Sequence, residues 1–328
     1  MPEITSLLVQ DNCRRKMGKS VSQPLISVLM TSYNHAKYIR QAIESIWLQS
    51  YTNIEIVVVD DASTDGSAGI LESLCERSPV PMRIEINEYN RGPAYTLKKA
   101  FEISKGELVA FLASDDVYAP SRFEEQVRCF AENSQLLLAY ADGQTLNADN
   151  TYGSRIHGEK VKTLLLRPPK EVLNYIYTHV SPLFIQCALV KRSLLLNSNA
   201  FESSALADDW LINIKMFEYL AQKGQCTYVD QVVCYYRIHG QNLHQNSDRQ
   251  IALLKQTIES NTPAKLLHLA RANIYWDIGL ALLKTKQMEA IKYLLLSQAN
   301  QFRPGLILDI AKRALLVAYR GLMKVFQR

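Results

Sequence analysis

Leu108-Val109-Ala110-Phe111-Leu112-Ala113-Ser114-Asp115-Asp116 is an apolar run that stops at two adjacent carboxylates. A run this apolar on both faces reads as a strand buried inside an α/β sheet rather than one half-exposed to water. In an open α/β sheet, ligands bind in the crevice beyond the carboxyl ends of the strands. A divalent cation needs oxygen ligands held at such an edge, and Asp115 and Asp116 fall there. An Asp after a strand is also an ordinary turn or helix-capping residue, so the flanking sequence has to decide between the two.

Upstream, the order strand, polar turn, helix repeats. Leu25 to Thr31 is an apolar, β-branched run followed by Ser32-Tyr33-Asn34-His35. A helical pattern then covers Ala36 to Leu48, with Asn34 as its expected cap. Ile54 to Val59 reads as a second strand, ending in Asp60-Asp61-Ala62-Ser63-Thr64-Asp65-Gly66, for which an Asp turn with Ser63 capping the next helix is one of two readings. Met82 to Ile86 is a third strand, Asn90-Arg91-Gly92-Pro93 a turn, and Ala94 to Ser104 a third helix stopped by Gly106. Alternation at this spacing predicts right-handed crossovers and a parallel sheet covered on both faces.

Downstream the regularity fades. Helices are expected over Arg122 to Asn133, Glu171 to His179 and Asp208 to Gln222, and strands over Leu136 to Ala141, Leu183 to Val190 and Tyr228 to Tyr236. Asp142 to Lys162 is turn-rich and expected to loop over the site. From Ile251 onward only helices are expected, and Ile274 to Pro304 has the spacing of one tetratricopeptide-type hairpin or of two amphipathic helices packed on the preceding domain. The resulting division is an arm over 1–23, an α/β domain over 24–245 and a helical region over 246–328.

Composition narrows the class. A chain of 328 residues, 48% hydrophobic and 21% charged, is ordinary for a globular protein. Its net charge of +5 is too mild to suggest nucleic acid as a partner. Much of the excess lies in the last segment, where Lys312, Arg313, Arg320, Lys324 and Arg328 face the lone carboxylate Asp309. That basic, amphipathic helix suits either peripheral contact with an anionic membrane or docking with a solvated face. The six cysteines form no Cys-x-x-Cys pair and read as reduced core thiols, and neither a signal peptide nor a membrane span is apparent. A cytoplasmic location, peripheral to the membrane, is expected.

Pro24 to Asn34, the strand ending Val59-Asp60-Asp61-Ala62-Ser63-Thr64-Asp65, the turn Asn90-Arg91-Gly92, and Lys105-Gly106-Glu107 leading to Ser114-Asp115-Asp116 together resemble glycosyltransferase family 2. The resemblance continues through Leu206-Ala207-Asp208-Asp209-Trp210 to Tyr236-Arg237-Ile238-His239 and omits the helical tail. It implies the GT-A fold, a Rossmann-like, mostly parallel sheet flanked by helices, and an inverting glycosyltransferase using Mg²⁺ or Mn²⁺. It also implies a nucleotide-sugar donor, with UDP- or dTDP-sugars favoured, and a polysaccharide or lipid-linked acceptor.

Carried onto this chain, the resemblance implies that Thr31 and Tyr33 border the nucleotide base and that Asp61 accepts a hydrogen bond from it. Asp115 would face the ribose and metal, and Asp116 would ligate the metal with help from His239. Asp209 would be the general base, with Asp208 as the fallback. The chain departs from the family pattern at Ala113, where many relatives carry another Asp, and at Leu97, where an Arg is frequent. Either Lys98 or Lys99 takes over the phosphate contact, or phosphate binding is weaker. Arg237 reads as a salt-bridge or packing residue. Two other readings compete: an inert GT-A domain serving as a nucleotide-sugar-binding or scaffold protein, and a nucleotidyltransferase. A nucleotidyltransferase would normally show a Gly-rich basic loop where this chain has Ser32-Tyr33-Asn34-His35.

Overall fold

A computed structural model describes residues 23–147, 149–201, 209–239, 247–283 and 286–301. Parallel strands β1 (Ile26–Ser32), β2 (Ile54–Asp60), β3 (Met82–Ile86) and β4 (Leu108–Ala113) occur in sequence alternation with helices α1 (Ile39–Trp47), α2 (Ser67–Glu76) and α3 (Pro93–Ile103). Their spatial order is β3-β2-β1-β4, with all three pairings parallel. The expected apolar runs are the centre of the core: Val28 to Met30, Val57 to Val59 and Leu108 to Leu112 are almost entirely shielded from water. Two-sided burial is what makes these strands continuous in hydrophobicity rather than alternating.

Beyond β4 the sheet changes character. It continues through β8 (Ala188–Lys191), β6 (Leu136–Leu146), β9 (Gln225–Arg237) and β5 (Val117–Tyr118), and β7 (Tyr152–Arg155) hangs on β6. β8 is antiparallel to both β4 and β6, whereas β6 and β9 run parallel. The fold is GT-A, with a parallel first half and a mixed second half. Helices α4 (Glu124–Glu132), α5 (Gly158–Leu165), α6 (Pro169–Thr178), α7 (Arg192–Asn197) and α8 (Asp209–Leu220) cover this half.

Several local expectations are corrected. Asn34 does not cap α1: it adopts a left-handed conformation at φ 55°, and the helix begins only at Ile39. Its side-chain oxygen instead accepts the Thr64 N–H at 2.8 Å, tying the first loop to the second. Ser63 does not cap α2 either; its hydroxyl donates to Asp60 Oδ2 and its oxygen accepts the Asn34 N–H. The segment expected to loop over the site is partly regular: β6 runs on to Leu146, the chain turns back as β7, and a helix begins at Gly158. Gly106 does more than follow a helix. A Cβ there would lie 2.5 Å from the Ser27 backbone nitrogen, so the close approach of the chain to β1 requires glycine.

Three helices follow: α9 (Ser247–Asn261), α10 (Ala264–Leu282) and α11 (Gln287–Asn300). α10 and α11 pack on each other, with Ser297 Oγ donating to the Ala272 carbonyl at 2.6 Å. The basic stretch 306–328 and Cys13 lie outside the described residues. The cysteines that are described are free thiols, and burial pushes Cys226 up to about 11 and Cys187 and Cys234 up as well. No helix among the described residues is long and apolar enough to cross a membrane.

Candidate active site

Register places the site. Thr31 is level with Val59 on one side and Ala113 on the other, so β1, β2 and β4 end together. Their carboxyl-terminal extensions, Tyr33 to His35, Asp60 to Asp65 and Ser114 to Asp116, therefore share one edge of the sheet, the ligand edge of an open α/β fold.

On the β2 side, Asp60 is fully buried and builds the turn, accepting the N–H and hydroxyl of Ser63 at 2.8 and 2.7 Å. Asp61 is also buried. Its carboxylate accepts Asn87 Nδ2, the Arg91 N–H and the Gly92 N–H, each at 2.8 Å. Gly92 sits at φ 86°, a conformation that suits glycine and aims its N–H at Oδ2. A carboxylate offers about four acceptor positions, so three internal donors leave Asp61 room for one more. Tyr33 stands beside this edge with its ring 46% exposed, available for stacking. Lys98 makes an exposed i,i+4 pair with Glu102 at 3.8 Å, whereas Lys99 pairs with Glu85 at 2.8 Å and approaches Asn87 Oδ1 at 3.3 Å. Of the two cations, Lys99 is the one that joins the Asp61 cluster. Leu97 packs against the core.

On the β4 side, Asp115 Oδ2 lies 3.0 Å from His239 Nε2 and 3.7 Å from His35 Nε2. One donor atom from each of these three residues falls within 4.8 Å of the others. One carboxylate oxygen and two imidazole nitrogens at this spacing fit a divalent cation. Tyr38 stacks on His239 at 4.8 Å and fixes its plane. Burial lowers the His35 pKa, which favours the neutral imidazole.

Asp116, expected as a metal ligand, is not in this cluster. Its two oxygens accept the Arg237 N–H at 2.7 Å and Gln186 Nε2 at 2.5 Å. Burial, and then the adjacent charge of Asp115, push its pKa well above the usual carboxylate range. Positive charge over Asp115 would relieve the second of these. Arg237, expected as a packing or salt-bridge residue, ties the end of β9 to the Asp115 loop and to α1: Nε donates to the Asp115 carbonyl and Nη2 to Gln41 Oε1.

Asp209 opens α8, where a carboxylate meets the helix N-terminus. Trp210 anchors that turn through Nε1 to the Ile176 carbonyl at 2.7 Å, and Asp209 Oδ2 accepts the Ile185 N–H at 3.2 Å. The next residue, Gln186, links Asp116 to the Ala113 N–H, which donates to its Oε1 at 2.8 Å. A single short turn over Ile185–Cys187 thus connects the helix-start carboxylate to the β4 pair. Tyr236, pushed up to about 12 by burial and by the charges of Asp116, Asp115 and Asp209, lies within the field of all three. Asp208 lies outside the described residues.

Sequence reasoning passed over His35, Gln186 and Tyr236. A polar Gln inside the apolar run Leu183 to Val190 was a readable signal; His35 had none, because its partners are 80 and 204 positions away.

Known proteins resemble this chain in sequence and in fold. An uncharacterised glycosyltransferase of Nostoc is 27% identical over 228 residues, covering 68% of this chain and 67% of its own. The putative teichuronic acid biosynthesis glycosyltransferase TuaG of Bacillus subtilis is 38% identical over 112 residues, 34% of this chain and 44% of its own. The Escherichia coli enzyme WfgD, a UDP-Glc:α-D-GlcNAc-diphosphoundecaprenol β-1,3-glucosyltransferase, is 29% identical over 137 residues, 42% of this chain and 53% of its own. The chain thus spans from under half to about two-thirds of the length of these relatives. In fold, it is similar to a Pyrobaculum calidifontis mannosyltransferase in complex with GDP-Man and Mn²⁺, with a TM-score of 0.59 at 19% identity, covering 97% of this chain and 89% of the other. Staphylococcus aureus TarS 1–349 in complex with UDP-GlcNAc gives a TM-score of 0.54 at 19% identity, covering 85% and 72%. Residues 27–197, more than half of the sequence, match the profile of glycosyl transferase family 2, and the chain belongs to that family.

Proposed function

We propose that the protein is an inverting, metal-dependent glycosyltransferase moving one sugar from a nucleoside-diphosphate donor to a saccharide or lipid-linked acceptor. Residues 24–245 form its catalytic unit. The observation that carries this reading is the joining of three parts at one sheet edge: Asp61 in its cradle, Asp115 against His239, and Asp209 tied to the β4 pair through the Ile185–Cys187 turn.

Asp61 receives the imide N–H of a uracil or thymine base at its remaining acceptor position, and Tyr33 and Thr31 flank the base. Asp115 and His239 hold a divalent cation, Mn²⁺ or Mg²⁺, and Asp116 braces the loop that presents them. The bound cation supplies charge neutralisation for the departing diphosphate. Asp209 takes the proton of the acceptor hydroxyl as that oxygen bonds to the anomeric carbon. The bond from that carbon to the diphosphate oxygen breaks with its electron pair on the leaving group. A single displacement from the face opposite the diphosphate inverts the configuration. The names of WfgD and TuaG support a lipid-linked or polysaccharide acceptor, and a lipid-linked acceptor would place the work of the enzyme at a membrane surface.

A thermal-shift panel of UDP, dTDP, GDP and CDP, each with and without Mn²⁺, tests this reading. Stabilisation by UDP or dTDP that requires Mn²⁺, with release of UDP from a UDP-sugar, is the expected result. No stabilisation by any nucleotide would overturn it and leave an inert GT-A scaffold.

A further inference from the structure

We propose that His35 is a third protein ligand of the metal site, and that the resulting two-imidazole, one-carboxylate set selects Mn²⁺ over Mg²⁺. The inference rests on the metal-dependent reading above. It adds a residue that neither the motif at Asp115 nor the carboxyl-terminal His239 points to.

The distances allow it. Donor atoms around one ion, each at about 2.1 Å, stand roughly 3 Å apart when adjacent and about 4 Å when opposite. Asp115 Oδ2 is 3.0 Å from His239 Nε2 and 3.7 Å from His35 Nε2, and the whole triad fits within 4.8 Å. Small side-chain adjustments bring all three onto one ion.

Ser114 can support the tautomer that ligation needs. His35 Nδ1 lies 2.8 Å from Ser114 Oγ. A proton on Nδ1 donated to Ser114 leaves the Nε2 lone pair on the side of Asp115, the outer-sphere arrangement by which a ligating histidine is oriented. The loop that carries the ring is pinned at several points. The His35 N–H donates to Ser67 Oγ, the Asn34 N–H to Ser63 Oγ, and the Ala36 N–H to Asp65 Oδ2. Asp65 and Asp60 in turn hold those serines. The ring also meets His239 edge-on at 5.9 Å, so the two imidazoles converge without stacking.

The ligand chemistry then sets the preference. Mg²⁺ is a hard ion that favours oxygen ligands and keeps much of its water. Imidazole nitrogen suits first-row transition ions better. With one carboxylate and two imidazoles, the protein offers more nitrogen than oxygen. Phosphate oxygens of the donor and water complete the shell.

Two measurements on the full-length protein with UDP test this. Pulsed EPR of bound Mn²⁺ counts the directly coupled imidazole nitrogens, and two are expected in the unmodified protein. A count of one would overturn the role of His35 while leaving the metal-dependent reading in place. No bound Mn²⁺ at all would overturn both. In His35→Gln the count should fall to one and Mn²⁺ affinity should drop by about 10- to 100-fold, at least what loss of an outer-sphere partner costs a metal site. Mg²⁺ affinity, read by competition, should fall much less, so the Mn²⁺/Mg²⁺ ratio narrows. An unchanged ratio in a folded His35→Gln variant would overturn the selectivity. Because the nitrogen count needs no substitution, it decides the ligand question even if that variant does not fold.

Discussion

Asp209 is the residue on which the proposed chemistry turns, and its surroundings allow a clean substitution. Its Oδ2 accepts the Ile185 N–H, and the amide oxygen of Asn can accept the same bond. Asp209→Asn should therefore fold, bind UDP with unchanged affinity and lose about 10²- to 10⁴-fold in kcat, the range for removing a general base. Steady-state transfer rates beside a calorimetric UDP titration check the split. Equal loss of binding and turnover would move Asp209 to the donor site. At this scale the sequence was only half readable. Asp61 and Asp115 stand out as carboxylates at strand ends. That Asp116 is consumed by Gln186 and the Arg237 backbone, while Asp115 faces two histidines, depends on contacts spanning 70 to 124 positions. No local spacing encodes which of two neighbouring aspartates points which way.

Among the elements, the first four strands and three helices were legible because each carries its own period and punctuation. The second half was less so. Its strands depend on partners, as in the case of β6, which extends through the polar Asp142, Gly143 and Gln144 because β7 and β9 pair with it. The turn from β7 into α5 supplies a consequence that can be measured. Buried His157 has both ring nitrogens engaged, Nδ1 with the Ala141 carbonyl at 2.7 Å and Nε2 with the Phe184 N–H at 3.0 Å. This fixes the neutral tautomer, with Nδ1 donating and Nε2 accepting. Burial lowers its pKa below the ordinary 6.5. Below pH 6.5 the unfolded chain takes up a proton that the folded chain refuses, so the contribution of His157 is full above 6.5 and declines as pH falls towards its folded pKa. Urea unfolding between pH 5 and 7.5, values chosen to bracket about one unit or more around 6.5, should show this decline. In His157→Gln, whose amide can both donate to Ala141 and accept from Phe184, the slope should be shallower. An unchanged slope would assign the pH dependence to other groups.

For the molecule as a whole, the question is whether the carboxyl-terminal helices are an appendage or part of the cooperative unit. Their helicity was legible, and α10 packs on α11. Which contacts attach them was not legible: Ile258, Ile274 and Ile278 join the main apolar core, and polar bonds to partners 85 and 95 positions away add to it. Asn273 on α10 donates to the Thr178 carbonyl at the end of α6 at 2.9 Å and lies 3.1 Å from His179 Nε2. Thr262 Oγ1 donates to the Tyr177 carbonyl at 3.1 Å. These bonds satisfy carbonyls that a helix terminus otherwise leaves open. α6 is in turn the helix whose Ile176 carbonyl receives Trp210, next to Asp209. The tail therefore braces the element on which the proposed base is anchored. Asn273→Ala leaves the Thr178 carbonyl buried without this donor and should cost about 1–3 kcal/mol. If the helices and the α/β domain unfold as one unit, denaturation followed by fluorescence and by circular dichroism should shift together, to a lower midpoint with an unchanged slope. Two separated transitions, with only the helical signal displaced, would show instead that the tail folds by itself, leaving the Asp209 turn to be held by the α/β domain alone.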